Sequence, residues 1–318
     1  MTFTYPTPTT IDVFYTNAEG SLVTPEKLPF GKGYSIVEVQ APYGYVLDET
    51  PVYFDVTEDN STEESGVTVV KVDKPNMAQK GTITVEKTGE VFFGVSVIGS
   101  VDESGNELPA IYQPQYEKRG LPGAVYEIIA AEDIITPDGT VRNQKGNVVD
   151  TVTTDENGTA VSRELYLGKY EVREIAAPNG MVLNPEPHCV ELVYAGQNVA
   201  VTETATSFEN ERQKVEISLV KSIEQNERFG IGNNGEMKNI SFGLFAAEEI
   251  VSASGTSIPT DGLVEIISLN EDGTAKIKTD LPFGSYYVQE LATDSHYMLS
   301  ATKYPVCLLY TSPSPRDR

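Results

Sequence analysis

The chain has 318 residues, of which 39% are hydrophobic, with a formal net charge of −24, 17 tyrosines, 11 phenylalanines and no tryptophan. That length and apolar share support two or three domains with real cores and exclude disorder throughout. So acidic a chain repels phosphate backbones, which excludes nucleic acid as a partner, and no apolar run of about eighteen residues is present to span a membrane.

The first recurring signal is the turn Asn17-Ala18-Glu19-Gly20, followed by LPFGKGYSIVEVQAPYGYVL from Leu28. This block is a Gly turn and then Tyr34-x-hydrophobic-x-Glu38, and a period of two puts the tyrosine and the glutamate on one strand face. Asn76 comes next, with Lys80 four positions on and Lys87 eleven on. Ile83, Val85 and Lys87 alternate as a strand, so parity points the lysine into the core. From Thr88 to Gly120 the chain makes an excursion carrying Phe92, Phe93, Tyr112 and Tyr116. It reads either as a ligand-binding excursion or as extra edge strands.

The pattern then returns. GAVYEIIA starts at Gly123, the turn Asp155-Glu156-Asn157-Gly158 precedes Thr-Ala, and LYLGKYEVREIAAPNGMVL from Leu165 supplies Tyr170 and Glu174. Asn210, Lys214 and Lys221 repeat the spacing of Asn76, Lys80 and Lys87. A third passage brings FGLFAA from Phe242, the turn Asn270-Glu271-Asp272-Gly273, and LPFGSYYVQELATDSHYML from Leu281 with Tyr286 and Glu290. The segments AAEDI and AAEEI are each open to a single helical turn. The final CLLYTSPSPRDR has no strand pattern.

Many short alternating runs between Gly, Asn, Asp and Pro turns predict an all-β chain of tandem antiparallel β-sandwiches, three Ig-like repeats with the first and last truncated. A period near 100 residues suggests a rod. The expected boundaries are 1–79, 80–213 (the complete repeat) and 214–306 (lacking its last strand), with 307–318 a non-native tail. Neither end is expected to be the natural one, so the absence of a signal peptide at MTFTYPTPTT carries little weight.

Each repeat thus places a glutamate, and where complete a lysine and an asparagine, on the apolar side of its strands. Burial depresses an amine's pKa and raises a carboxyl's. A neutral Lys87 amine is a nucleophile and the Asn210 side-chain carbonyl an electrophile. Attack would expel ammonia and leave an amide cross-link, with Glu174 shuttling protons and folding supplying proximity. The bland alternative is a lysine that snorkels to the sheet rim as an ordinary salt bridge with Glu174.

Other chemistry is poorly supported. Two histidines leave no credible Ser/His/Asp set, and no phosphate loop or clustered zinc spacing appears, so an enzyme acting on external substrate is disfavoured and no cofactor or metal is expected. His188-Cys189 reads as a core-edge pair, and Asp155-Glu156-Asn157 as a solvated turn without an EF-hand's ligand count. Cys189 and Cys307 lie in different repeats, which excludes an intradomain disulfide framework.

VEKTGE around Lys87, YEVREIAAPNG around Glu174 and FENERQKVEISLVK across Asn210 and Lys221 resemble the SpaA-type, prealbumin-like (Cna protein B-type) domains of Gram-positive surface proteins and pilins. APYGY at 41–45 carries the Ala-Pro-x-Gly-Tyr part in full, AAPNGM has Met last, and LATDSHYM lacks both Pro and Gly, which puts its loop geometry in question. The resemblance implies an intramolecular isopeptide bond from Lys87, Asn210 and Glu174. It also implies that Glu38 and Asn76 are the glutamate and acceptor of the first repeat, and Lys221 and Glu290 the lysine and glutamate of the third. It further implies an extracellular, cell-wall location and a stalk segment of an adhesin or pilus-associated subunit, contacting neighbouring domains of the same protein. The alternative is a ligand-binding adhesin module contacting a host protein or glycan. No LPxTG-type sorting signal or pilin YPK-type lysine is found.

Overall fold

The computed structural model describes residues 10–57, 69–99 and 109–308. It divides into two compact units, one of Met1–Ala78 with Gly196–Asn198 and one of Gln79–Ala195 with Val199–Arg318.

The first unit holds β1 (Gly31–Ile36), β2 (Tyr45–Val46), β3 (Val52–Val56) and β4 (Met77–Ala78). Strand β1 pairs antiparallel with β3, and β2 with β4. Tyr34 stacks on Phe54 with ring centroids 5.7 Å apart. Gln197 closes the unit, its side-chain oxygen accepting from the Ala41 N–H at 2.9 Å and its carbonyl from the Leu47 N–H at 2.9 Å. Among its described hydrophobic residues only Ala41 and Val56 are buried, which is little core for two strand pairs.

In the second unit β5 (Lys80–Ile98) opens a sandwich, and β6 (Ile111–Gly120) turns back along it. There follow β7 (Val125–Ala130), β8 (Ile134–Ile135), β9 (Val141–Asn143), β10 (Val148–Thr153), β11 (Thr159–Val161), β12 (Leu165–Tyr166), β13 (Gly168–Ala176), β14 (His188–Leu192) and β15 (Val201–Asn210). One layer is the antiparallel sheet β10-β7-β13-β14. The other centres on β5, which pairs antiparallel with β11 and β12 and parallel with β15. Along β5 every second residue from Gly81 to Gly89 is buried, so the period-two pattern carries Ile83, Val85 and Lys87 into the core in one line. Tyr126, Ile128, Tyr170, Val172, Leu192 and Phe208 meet them from the other strands.

The third repeat is built alike from β16 (Ser218–Val220), β17 (Ser241–Ala246), β18 (Ile250–Val251), β19 (Ser257–Ile258), β20 (Leu263–Ser268), β21 (Thr274–Lys276), β22 (Gly284–Ala292) and β23 (Tyr304–Leu308). Its sheet β20-β17-β22-β23 matches β10-β7-β13-β14, and β16-β21 matches β5-β11. Among the described residues β15 has no counterpart here.

Two sequence expectations need correction. The expected tail begins too early: Cys307 and Leu308 lie in β23, where Leu308 pairs with Gly284 and is buried in the third core. Residues 309–318, the rest of that tail, lie outside the described residues. AAEDI and AAEEI are bends leading into the short strands β8 and β18. The Ala131 and Ala247 N–H groups donate across to the Lys169 and Ser285 carbonyls, which takes the amides a helical turn would need.

The excursion from Thr88 to Gly120 forms strands in its described part. Strands β5 and β6 run on together from Thr88↔Gly120 to Ile98↔Ile111, with a bulge between Phe92 and Gly94. Their far end joins the third repeat, where Ile111 pairs with Leu263 of β20. The Ala253 and Ser254 N–H groups donate to the Phe92 and Phe93 carbonyls at 3.0 and 2.9 Å. Phe92, Val95 and Tyr112 pack on the third core. Beside the ribbon, the buried Arg212 pairs with Asp280 and lies over the Tyr116 ring, 3.9 Å from its centroid. One sheet, β11-β5-β6-β20-β17-β22-β23, therefore crosses both repeats. Phe92, Tyr112 and Tyr116 of the excursion are spent on this joint, while Phe93 lies under Arg119.

Replacing Phe92 and Tyr112 together by Ala is expected to destabilise the third sandwich by about 2–4 kcal/mol while sparing the second, because partly buried rings are lost from one core only. Hydrogen exchange followed through urea unfolding checks this; equal loss of protection in both sandwiches would contradict it.

Candidate functional site

Lys87 reaches the end of the buried line on β5, where no water is available to its amine. Its side chain and that of Glu174 are both fully buried (0% exposed), and Asn210 is buried too. Because β15 runs parallel to β5 with Phe208 opposite Lys87 and Asn210 opposite Gly89, the asparagine arrives beside the lysine. Glu174 comes from β13 in the other layer. The Lys87 Nζ lies 2.9 Å from Glu174 Oε1 and donates to Asn210 Oδ1. Asn210 Nδ2 donates to Glu174 Oε1 and Oε2 at 2.9 and 3.1 Å. The amide thus turns its carbonyl toward the amine and its NH2 toward the carboxyl. Tyr126 and Phe208 wall the amine, each ring centroid 5.8 Å from Nζ.

Burial pushes the Lys87 amine below its usual pKa, against the opposing pull of its hydrogen bond and charge interaction with Glu174. Burial, reinforced by the Glu174 charge, pushes the Tyr126 hydroxyl up, so it stays a donor at neutral pH.

The repeat motif has a physical basis in the seat of the glutamate. In all three repeats the motif tyrosine donates back to a loop carbonyl: Tyr34 to Pro29 at 3.1 Å, Tyr170 to Tyr166 at 2.6 Å and Tyr286 to Pro282 at 2.8 Å. In all three the glutamate Oε2 accepts a backbone N–H ten positions later: Asp48 at 3.1 Å, Asn184 at 2.9 Å and Ser300 at 2.8 Å. The Ala-Pro-x-Gly-Tyr loop delivers that N–H. Its turn closes Tyr45 onto Pro42, Met181 onto Pro178 and Tyr297 onto Asp294. Gly44 and Gly180 take positive φ in the first two, as a type II turn requires. The third loop keeps the turn without Pro or Gly. Asp294 stands at its first position and its side chain accepts from the His296 N–H at 3.1 Å, the chemistry of an Asx turn.

The other expected residues assemble in part. In the first unit Asn76 Nδ2 donates to both Glu38 oxygens at 2.9 and 2.7 Å, and to the Val46 carbonyl at 3.2 Å. Glu38 there is half-buried and lies past the end of β1. In the third repeat Lys221 Nζ lies 3.0 Å from Glu290 Oε1, with the lysine side chain 27% exposed and the glutamate 1%. His188 donates to or accepts from Thr206 Oγ1 at 2.9 Å and stacks on Phe208, while Cys189 and Cys307 are free and exposed.

Two residues of the site were not singled out from sequence. Tyr126 sits opposite Glu174 on β7, its hydroxyl 3.5 Å from Oε1; aligning Ala130-Ala131-Glu132 with Ala246-Ala247-Glu248 would have set it against Phe242. Gly158 ends the Asp155–Gly158 turn that sequence read only as a hairpin signal. Its carbonyl accepts from the Lys87 N–H at 2.7 Å, as Gly273 does from Lys221 at 2.8 Å. A Cβ at Gly158 would stand 2.3 Å from the Lys87 carbonyl oxygen, and one at Gly273 the same distance from that of Lys221. The recurring Gly holds the lysine's own peptide in place.

The family model for the SpaA prealbumin-like fold domain matches residues 2–71 and 113–207, taking in Glu38 and Glu174. The trypsin-resistant surface T6 protein of Streptococcus pyogenes serotype M6 is 27% identical over 147 residues, covering 45% of this chain and 26% of the relative. The Bacillus anthracis TIE protein structure superposes with a TM-score of 0.51 at 24% identity, covering 89% of this chain and 40% of that one. The chain therefore spans about a quarter of the length of that curated relative.

Gly158→Ala is expected to cost about 3 kcal/mol, since it adds a backbone clash to the strain of a positive φ. Gly123→Ala, at φ 84° with nothing within 4 Å of its Cβ, is the control and is expected to cost about 1 kcal/mol. Urea midpoints measure both, and equal losses would remove the clamp at Lys87.

Proposed function

Because the chain belongs to the SpaA family of prealbumin-like fold domains, we propose that it is a structural stalk segment of a Gram-positive cell-surface protein, stiffened by a self-formed Lys87–Asn210 isopeptide bond. The observation that carries this is the orientation of the buried Asn210 amide, with Oδ1 toward the Lys87 amine and Nδ2 toward Glu174. The amide presents its carbonyl to the amine and its leaving nitrogen to the acid, the two contacts the reaction requires.

The reaction balances within the trio. A proton passes from Lys87 Nζ to Glu174 Oε1, leaving a neutral amine and a carboxylic acid in the dry core. The Nζ lone pair attacks the Asn210 side-chain carbon while Glu174 donates its proton toward the carbonyl oxygen. As the tetrahedral centre collapses, the carbon–Nδ2 bond breaks. Glu174 carries the surplus Nζ proton to Nδ2, then takes back the hydroxyl proton as the carbonyl re-forms, and Nδ2 leaves as ammonia. The product is one secondary amide; Glu174 is left protonated and returns to a carboxylate by giving that proton to the departing ammonia as ammonium, so the chain acts once and is not an enzyme with turnover. Holding amine and amide in contact replaces several kcal/mol of barrier, on the order of the entropy a bimolecular encounter would cost.

Such a bond suits a load-bearing part. Lys87 and Asn210 are separated by 123 positions in the chain, and a pull entering at the start of β5 and leaving at the end of β15 would pass through one amide. The loop between them could not extend. The same closure would slow the opening that proteases need, in keeping with the name of the trypsin-resistant streptococcal relative. A cell-wall or pilus setting, with neighbouring domains of the same protein as partners, follows from the family. Binding of a host protein or glycan through the excursion has less to recommend it, since Phe92 and Tyr112 face the third core.

Intact mass is expected to fall short of the sequence mass by one ammonia. Lys87→Ala and Asn210→Ala should each show their full calculated mass and be cleaved at least about tenfold faster by trypsin. A folded wild-type chain of unmodified mass would sink the bond.

A further inference from the structure

At the position facing the glutamate, the second and third sites differ by one hydroxyl. Tyr126 faces Glu174 across β7 and β13, and Phe242 faces Glu290 across β17 and β22 in the same register. Oε1 of Glu174 receives Lys87, Asn210 and, at 3.5 Å, the Tyr126 hydroxyl. Oε1 of Glu290 is buried and makes no hydrogen bond among the described residues, although the Lys221 amine faces it at 3.0 Å. Tyr126 is fully buried with its ring against Phe208 at 4.8 Å, so the hydroxyl is held in its place.

That placement matters when ammonia leaves. Nδ2 is a donor to both carboxyl oxygens, and both lose it together. Oε2 keeps the Asn184 N–H. For Oε1 the donors left are the new amide's Nζ–H and the Tyr126 hydroxyl, whose long contact has room to shorten. Hydrogen bonds of this kind tighten along a reaction.

We propose that Tyr126 is a positioning residue for cross-linking: its hydroxyl fixes Oε1 of Glu174 between amine and amide and holds the carboxyl as ammonia departs. This rests on the bond-forming reading above. The titratable groups facing the carboxyl are Lys87 from β5 and Tyr126 from β7. Asn210 and the Asn184 amide are neutral, and His188 of β14 is turned to Thr206 and Phe208.

The test uses un-cross-linked full chain recovered from inclusion bodies in urea and diluted to fold over a series of pH values, with intact mass followed in time. Tyr126→Phe should fold, as Phe242 does in the same register, but lose ammonia about tenfold more slowly, the worth of one hydrogen bond to a charged group. The pH profile of ammonia loss should also change, because the hydroxyl is one of the donors on Oε1 while Glu174 takes up and releases protons. An unchanged rate and pH profile in a folded Tyr126→Phe overturns the proposal. A folded wild type that never loses ammonia instead overturns the bond-forming reading beneath it. Phe242→Tyr is the independent arm: giving Glu290 Oε1 a donor should raise the melting temperature of the third sandwich, and no rise counts against a hydroxyl at this register holding the carboxyl.

Discussion

Taking the Lys87 amine out of water is the constraint around which the second sandwich is built. An ammonium or carboxylate moved into a protein interior costs several kcal/mol even after relaxation, and mutual attraction offsets that only with good geometry and every remaining lone pair satisfied. Here Glu174 has its second oxygen tied to the Asn184 N–H, and Asn210 fills the space between the charges. A neutral amine beside a neutral acid lowers the cost, and an amide in their place removes the charges altogether. The third repeat shows the relaxed arrangement. With no strand like β15 described beside it, Lys221 keeps part of its side chain in water and pairs with Glu290 as a half-open ion pair.

Strand order would turn a bond between Lys87 and Asn210 into a mechanical property. The two strands that carry Lys87 and Asn210 both lead toward the third repeat. Strand β5 continues into the ribbon with β6, and β15 leads within two residues to Arg212 and its ion pair with Asp280. The pair therefore sits where load from the joint would enter the sandwich. A hydrogen-bonded parallel pair yields by opening from one end, one bond at a time; a covalent tie near that end removes the starting point. Fixing the lysine's peptide against Gly158 serves the same purpose, since the amine can be placed only as well as its backbone is.

How much of this was legible in the sequence depended on whether a contact demands a particular side chain. The tyrosine hydroxyl bond and the glutamate's ten-residue reach need Tyr and Glu, so they left a spacing that repeats and can be counted. The buried line on β5 was legible for the same reason, because alternation must be strict when one face is dry. The ribbon was not. Phe92, Val95 and Tyr112 would alternate in the same way over a ligand as over another domain's core, and only the register with β20 distinguishes them. Gly158 was visible as a turn but not as a clamp, because a glycine's reason for being small lies in what approaches it. Cys307 and Leu308 were lost to the unpatterned residues that follow them.

The third loop shows which feature the repeats preserve. Pro and Gly are gone from LATDSHYM, yet the Ser300 N–H reaches Glu290 Oε2 as Asn184 reaches Glu174. Asp294 makes the turn with its side chain and is itself held by Asn239 at 2.6 Å. Different residues thus rebuild the same seat, so what is kept is a carboxylate with a fixed N–H donor. A seat of that kind is required wherever the strand buries a glutamate, cross-linked or not, because an unsatisfied carboxylate in a core is costly. The glutamate motif by itself is therefore a sign of fold. The sign of chemistry is narrower: a lysine with no access to water, and an asparagine whose amide is turned with its oxygen to the amine and its nitrogen to the acid. In this chain Lys87, Glu174 and Asn210 meet that condition together.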